Sequence, residues 1–289
     1  ETEAAVLFPT GFAACSGAVS ALAEAGDLIL SDELNHASLI DGCRLSRAEC
    51  VVYPHRDWQE VDHVLQHRRQ EFGRVWIVTN TVFGMDGDIA PVDRLQEVAE
   101  KHDAKVIADE AHGTGVLGND GSGVCDALGV KNRIAIRIGT LSKAVGSQGG
   151  FVAAPRVVVD HLINHCRSLI YSTSLAPAAV NAALAGISEI RTGVERRQRV
   201  QQLARYVRSE LSIDVANDLE ASVPIIPVVV GTDRRVIEVS EQLAKSGFYV
   251  PAIRPPTVPE GTARLRISLS AAHRTEMIDE LLVAVRNFR

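Results

Sequence analysis

The sequence predicts an α/β protein in two parts: a large, mostly parallel sheet domain over residues 1–190 and a smaller α+β domain over residues 191–289. Two observations carry this expectation. Up to about residue 155, short apolar runs alternate with stretches of helical periodicity, the pattern that builds a parallel sheet covered on both faces. After a long helical region the alternation stops, and two isolated strand-like runs and a last helix complete the chain.

Taken in order, the opening Glu1-Thr2-Glu3-Ala4 leads straight into an apolar, strand-like stretch. The chain does not begin with Met, so further N-terminal sequence is expected upstream. Thr10-Gly11-Phe12 reads as a turn into a helix running through Ala23. The apolar runs at residues 28–30, 51–53, 75–78, 106–108, 134–138 and 151–153 read as buried strands, and residues 61–70 and 92–101 as amphipathic helices between them. Residues 177–211 read as one long helical region. Strands near 225–230 and 265–269 and a helix from Met277 form the smaller domain. Ligands of open parallel sheets bind outside the carboxyl ends of the strands, so the residues just after each run are the ones to inspect.

Composition narrows the function classes. With 46% hydrophobic and 23% charged residues the chain is ordinary for a globular protein. A formal charge of −6 argues against a general nucleic-acid binder, which needs clustered Lys and Arg. The one basic stretch, Arg196-Arg197-Gln198-Arg199, lies in a predicted helix reaching about Ser209 and reads as a solvated face. Five cysteines without Cys-x-x-Cys spacing fit a reducing, cytoplasmic compartment and argue against a disulfide framework or structural zinc. No apolar run reaches the roughly 18–20 residues of a membrane span.

Three motif matches fail on context. Asp109-Glu110-Ala111-His112 spells a helicase box, but the phosphate loop such a motor needs is missing from the sequence. Gly113-Thr114-Gly115-Val116-Leu117-Gly118 matches the dinucleotide fingerprint, yet it does not follow its strand directly. The pairs His63/His67 and His161/His165 have helical spacing but no accompanying Glu, so no metal is expected there.

The remaining features make chemical sense together. Asp109 ends a buried run and so stands at the ligand edge of the sheet. Gly139-Thr140-Leu141-Ser142-Lys143 follows another, with Gly146, Gly149 and Gly150 just beyond. A lysine in a tight loop of small residues can approach a flat ring, and an ammonium shielded there from water gives up its proton more readily. A carboxylate facing the ring keeps a pyridine nitrogen protonated, each pKa unit of bias being worth about 1.4 kcal/mol. Gly11 at a helix start offers bare amides to a phosphate. Asp32-Glu33-Leu34-Asn35-His36 delivers an imidazole to the same edge, placed to stack on a planar cofactor.

At these residues the sequence resembles the α-oxoamine synthases, acyltransferases of PLP-dependent transferase fold type I. The likeness runs through Ser31-Asp32-Glu33-Leu34-Asn35-His36-Ala37-Ser38, Met85-Asp86-Gly87-Asp88-Ile89-Ala90-Pro91, residues 109–118 and 139–143. It implies a seven-stranded-type sheet, bound pyridoxal 5′-phosphate (PLP) and a homodimer with shared active sites. The resemblance gives Lys143 the Schiff base to PLP, Asp109 the ring nitrogen, His36 the ring face and His112 the ring's phenolic oxygen. Gly11, Phe12 and Thr140 would hold the phosphate, with Thr173 reaching a neighbouring subunit's phosphate. Arg266 would clamp the amino-acid carboxylate, with Arg254, Thr257 and His36 beside the substrate. Ala252-Ile253-Arg254-Pro255-Pro256-Thr257-Val258-Pro259, followed by Arg264-Leu265-Arg266, is similar to the biotin-pathway branch, which joins L-alanine to pimeloyl-CoA. Glycine C-acetyltransferase is similar elsewhere but lacks that run. A catalytically silent partner subunit is the reading from a different class, and such subunits lose the lysine kept here as Lys143. Three positions depart from the family pattern: Gly84 replaces a serine, Cys15 a common asparagine and Asn80 an acidic residue. The family's N-terminal segment, which helps close the acyl pocket, is expected to lie outside this sequence.

Overall fold

A computed structural model describes residues 2–288. The chain divides into two compact units. The first runs to Phe83 and resumes over Ile89–Thr192; the second comprises Gly84–Asp88 and the chain from Gly193 onward.

Strands of the first unit are β1 (Ala4–Phe8), β2 (Leu28–Asp32), β3 (Glu49–Tyr53), β4 (Val75–Asn80), β5 (Lys105–Asp109), β6 (Ile136–Thr140) and β7 (Gly150–Ala154). Its helices are α1 (Gly11–Leu22), α2 (Ala37–Leu45), α3 (Trp58–Arg68), α4 (Val92–Lys101), α5 (Val124–Ala127), α6 (Arg156–His165), α7 (Arg167–Ile170) and α8 (Pro177–Thr192). The strands form one seven-stranded sheet in the order β1-β7-β6-β5-β4-β2-β3. From β6 to β3 every pairing is parallel, whereas β7 is antiparallel to both its neighbours. Only β7 therefore runs against the rest, and the carboxyl ends of β1, β2, β4, β5 and β6 share one edge.

The sequence explains this arrangement locally. β2 and β4 are buried at every position, which a strand covered on both faces requires, and so their apolar runs do not alternate. The sheet's edge strands β1 and β3 are partly exposed. In α4 the buried Val92, Leu95, Val98 and Ala99 form one helical stripe. Small residues let α1 lie close to its neighbours. A Cβ on Gly42 would stand 2.9 Å from Val19 Cβ and 3.1 Å from the Ser16 backbone, and one on Gly17 would stand 2.0 Å from Ser168 Oγ.

The helical region expected over 177–211 consists of two helices. α8 stops at Thr192, and α9 (Val194–Glu210) starts after Gly193, whose ψ of 50° leaves the helical range. Glycine is a poor helix former, and the chain turns there into the second unit. The solvated-face reading of residues 196–199 also needs correcting, because Arg197 is 5% exposed. It precedes the buried Val200 and Ala204 by three and seven positions, so it shares their inward face.

The second unit continues with α10 (Asp218–Ala221), β8 (Ile225–Gly231), α11 (Asp233–Lys245), β9 (Ala252–Ile253), β10 (Ala263–Ser268) and α12 (Thr275–Arg286). Its antiparallel sheet has the order β8-β10-β9. Apolar side chains of α9, α11 and α12 close a core over this sheet, among them Leu203, Val207, Val236, Leu243, Ile278 and Leu282. Three arginines bind the segment Gly84–Asp88 into this unit. Arg264 pairs with Asp86, Arg266 donates to the Gly84 carbonyl, and Arg208 donates to the carbonyls of Gly87 and Ile225 at 3.3 and 2.8 Å. Gly87 sits at φ 68°, and a Cβ there would meet the Ile225 carbonyl at 2.0 Å. No helix among the described residues is long and apolar enough to cross a membrane.

Packing at Gly42 is directly testable. Gly42→Ala should gain helix propensity but force α1 and α2 apart, for a net loss of about 1–2 kcal/mol in chemical denaturation. An unchanged or raised midpoint would mean that the helices separate freely.

Candidate active site

Strands β1, β2, β4, β5 and β6 each lead to a polar group at the shared edge. Asp109 closes β5, in register with Asn80 of β4 and Ile138 of β6, and is 3% exposed. Its Oδ1 accepts the Ala111 amide at 2.8 Å. Its Oδ2 accepts the Asn80 amide nitrogen at 3.0 Å and the Cys15 thiol at 3.3 Å. Burial, and then the Asp109 charge, push the Cys15 thiol well above its ordinary range, so it keeps the proton it donates. A carboxylate offers about four acceptor sites, and three are filled, which leaves Oδ1 able to take a ring N–H.

His36 follows β2 and caps α2. Its Nδ1 lies 2.7 Å from Ser38 Oγ and accepts the Ser38 amide at 3.2 Å. Accepting at Nδ1 puts the proton of the neutral ring on Nε2. The imidazole itself is exposed, while the His36 backbone amide is tied to Asn80 Oδ1 at 2.7 Å.

His112 sits half-buried in the turn after β5. That turn is anchored by the buried Glu110 carboxylate, which accepts Thr81 Oγ1 at 2.8 Å and the amides of Val124 and Cys125 at 2.9 and 2.7 Å. Burial raises the Glu110 pKa against the pull of these donors. Gly113 and Gly123 make room for it, since a Cβ at either would come within 2.2–2.3 Å of its oxygens. The glycines of the 113–118 run thus serve a turn packed on a carboxylate. The next helix, α5, begins only at Val124, so no dinucleotide-binding strand–helix junction forms.

Lys143 stands in a tight loop after β6, closed by Leu141 N to Gly149 O (2.9 Å), Ser147 N to Leu141 O (2.8 Å) and Gly146 N to Lys143 O (2.9 Å). Its side chain is exposed, so the shielding expected from the loop is not supplied by this chain's own packing. Thr140, 3% exposed, bonds Ser142 Oγ at 2.7 Å and the Gly149 carbonyl at 3.1 Å. Thr10 caps α1 by accepting the Ala13 amide at 3.0 Å. The amides of Gly11 and Phe12, just before Ala13, have no intrahelical acceptor and head the positive end of the helix dipole. A Cβ at Gly11 would press on Thr140 Cβ and Oγ1 at 3.0 Å, so only glycine lets the helix start lie against β6.

The structure thus gathers Gly11, Phe12, His36, Asp109, His112, Thr140 and Lys143 on the first unit. Thr173 lies exposed between α7 and α8. Arg254, Thr257 and Arg266 belong to the second unit. Arg254 and Thr257 are exposed and joined by Thr257 N to Arg254 O at 3.0 Å. Arg266 donates to Ser268 Oγ at 3.0 Å as well as to Gly84, and burial lowers its pKa. Sequence reasoning marked Cys15 and Asn80 only as departures. Both turn out to donate to Asp109, and for Asn80 the signal was available: it ends the run next to the one that Asp109 ends.

The donor set fits PLP. A helix start with bare amides suits its phosphate, the remaining Asp109 acceptor suits its ring nitrogen, and an unencumbered lysine suits its carbonyl carbon. Fold and edge chemistry together define a PLP-dependent enzyme of fold type I. The pattern of the aminotransferase class I and II family matches residues 1–285, and the chain belongs to that family. Among its relatives is 8-amino-7-oxononanoate synthase of Lysinibacillus sphaericus, 43% identical over 99% of this chain and 73% of that one. Another is 8-amino-7-oxononanoate synthase 2 of Bacillus subtilis (strain 168), 45% identical over 97% of this chain and 72% of that one. Two solved structures are similar throughout. Serine palmitoyltransferase from S. paucimobilis, bound to a PLP–myriocin aldimine, has a TM-score of 0.93 at 33% identity, covering 99% of this chain and 72% of that one. An 8-amino-7-oxononanoate synthase from Francisella tularensis has a TM-score of 0.83 at 27% identity, covering 99% and 82%. These relatives place the chain in the α-oxoamine synthase branch of the family.

The phosphate cup yields a prediction. Gly11→Ala should displace Thr140 or the helix start and remove about one charge-assisted hydrogen bond, weakening PLP binding about tenfold or more. Titration of the apoprotein with PLP, followed by fluorescence, reads this; an unchanged affinity would take Gly11 out of the phosphate site.

Proposed function

We propose that the chain is a PLP-dependent acyltransferase that condenses L-alanine with a pimeloyl thioester, releasing CO2 and the free thiol and forming 8-amino-7-oxononanoate for biotin synthesis. The observation that carries this reading is the convergence of Asp109, His36, Thr140 and Lys143 on one sheet edge, in a chain 43–45% identical to relatives of that name.

Bound PLP supplies an electron sink for the charge left on the alanine Cα. The chain's own residues do the rest. Asp109, held by three donors, would keep a proton on the ring nitrogen, and His36 would cover the ring face. Lys143 holds the cofactor at rest. Its Nζ would then serve as the base that takes the alanine Cα proton and later returns one to the product. His112 would reach the phenolic oxygen, and Gly11, Phe12 and Thr140 would hold the phosphate. Arg266 binds the alanine carboxylate; its partners described above are a carbonyl and a hydroxyl, so its charge is available to an anion. Arg254 and Thr257 lie by the substrate. The working form in this reading is a cytoplasmic homodimer in which Thr173 contacts the phosphate of the partner subunit.

Three measurements test the proposal. Borohydride reduction of the holoenzyme should attach the cofactor to the peptide containing Lys143, and Lys143→Ala should bind PLP yet remain unlabelled; label elsewhere would overturn the assignment. Arg266→Ala should lower kcat/KM for alanine roughly ten- to a hundredfold, because a charge-assisted bond contributes about 1.5–3 kcal/mol and 1.4 kcal/mol is one decade. Unchanged alanine kinetics would remove Arg266 from the site. Thiol release should be much faster with alanine plus pimeloyl-CoA than with glycine plus acetyl-CoA. The reverse order would keep the fold and cofactor but make glycine C-acetyltransferase the activity.

A further inference from the structure

The Asn80 side chain touches two members of the site at once. Oδ1 accepts the His36 backbone amide at 2.7 Å, and Nδ2 donates to Asp109 Oδ2 at 3.0 Å. Chemistry dictates that orientation: a backbone N–H can only donate and a carboxylate can only accept, so the amide must present its oxygen to one and its nitrogen to the other. The residue is 4% exposed, and its own amide is held by Asn35 Oδ1 at 2.9 Å. Asn35 is fastened in turn to Ser31 Oγ at 3.0 Å and the Val78 carbonyl at 2.8 Å. Asn80 is therefore braced on its backbone and committed on both ends of its side chain. A carboxylate in its place could still accept from His36, but it would face Asp109 as a second acceptor.

We propose that Asn80 is a positioning residue that couples the two contacts on the cofactor ring, aiming Asp109 at the ring nitrogen and the His36 segment at the ring face. This rests on the reading that PLP occupies the sheet edge. The neutral amide lets one side chain serve both groups, and the Cys15 thiol supplies the second donor to the same Asp109 oxygen.

The test uses full-length protein with ring-15N-labelled PLP and compares the native chain, Asn80→Ala and the isosteric Asn80→Asp. Asn80→Ala loses both bonds, whereas Asn80→Asp keeps the His36 acceptor and loses only the donor to Asp109. Both variants should bind PLP about tenfold more weakly, the loss expected for one or two buried hydrogen bonds. Both should also move the 15N resonance of the bound ring, a signature that a purely structural residue leaves in place. If affinity stays within about twofold of native and the resonance holds, the proposal is overturned, even if the apoprotein melts at a lower temperature. Failure of the native protein to bind PLP, or to become labelled at Lys143, would instead overturn the reading of the site itself.

Discussion

Parallel pairing from β6 to β3 is the constraint on which the rest depends. Strands that run the same way end on the same edge, so residues far apart in sequence become neighbours without any dedicated contact between them. Asn80 and Asp109 are side by side because β4 and β5 pair in register, and Thr140 follows because β6 continues the order. β1 joins the edge through β7, the one reversed strand, which brings Gly11 against Thr140. A register slip of one residue would turn Asp109 to the other face of the sheet, away from Asn80 and Cys15.

Close approach is the second theme, and glycine makes it possible at chosen points. Gly42 and Gly17 allow α1 to lie against α2 and α7, and this fixes the helix whose start rests against Thr140. Gly113 and Gly123 admit the Glu110 carboxylate, which pins the turn bearing His112. In the second unit the same role falls to Gly87, where the Ile225 carbonyl occupies the space of a side chain.

Charge at the edge is managed by hydrogen bonds more than by ion pairs. Asp109 is surrounded by a backbone amide, a side-chain amide and a thiol, none of them cationic. Neutral donors hold the carboxylate in place without an ion pair. Cys15 serves in this set as a protonated thiol, a state that burial and then the Asp109 charge reinforce. Cys15 and Asn80 are thus both donors to the same oxygen of Asp109.

By itself the sequence determined the α/β class, the principal strands, the edge positions of Asp109, Thr140 and Lys143, and through long motifs the family and its cofactor. These are legible because burial on both faces leaves an uninterrupted apolar run, and the residue that ends such a run must stand at the sheet edge. What only the tertiary structure decided was partnership. Nothing in local periodicity says that Cys15 and Asn80 meet one oxygen of Asp109, that Arg197 turns inward, or that Gly84–Asp88 joins the second unit. Periodicity assigns a face or an edge, whereas a hydrogen-bond partner depends on strand order and on how closely two backbones approach, and both are set by packing across distant parts of the chain.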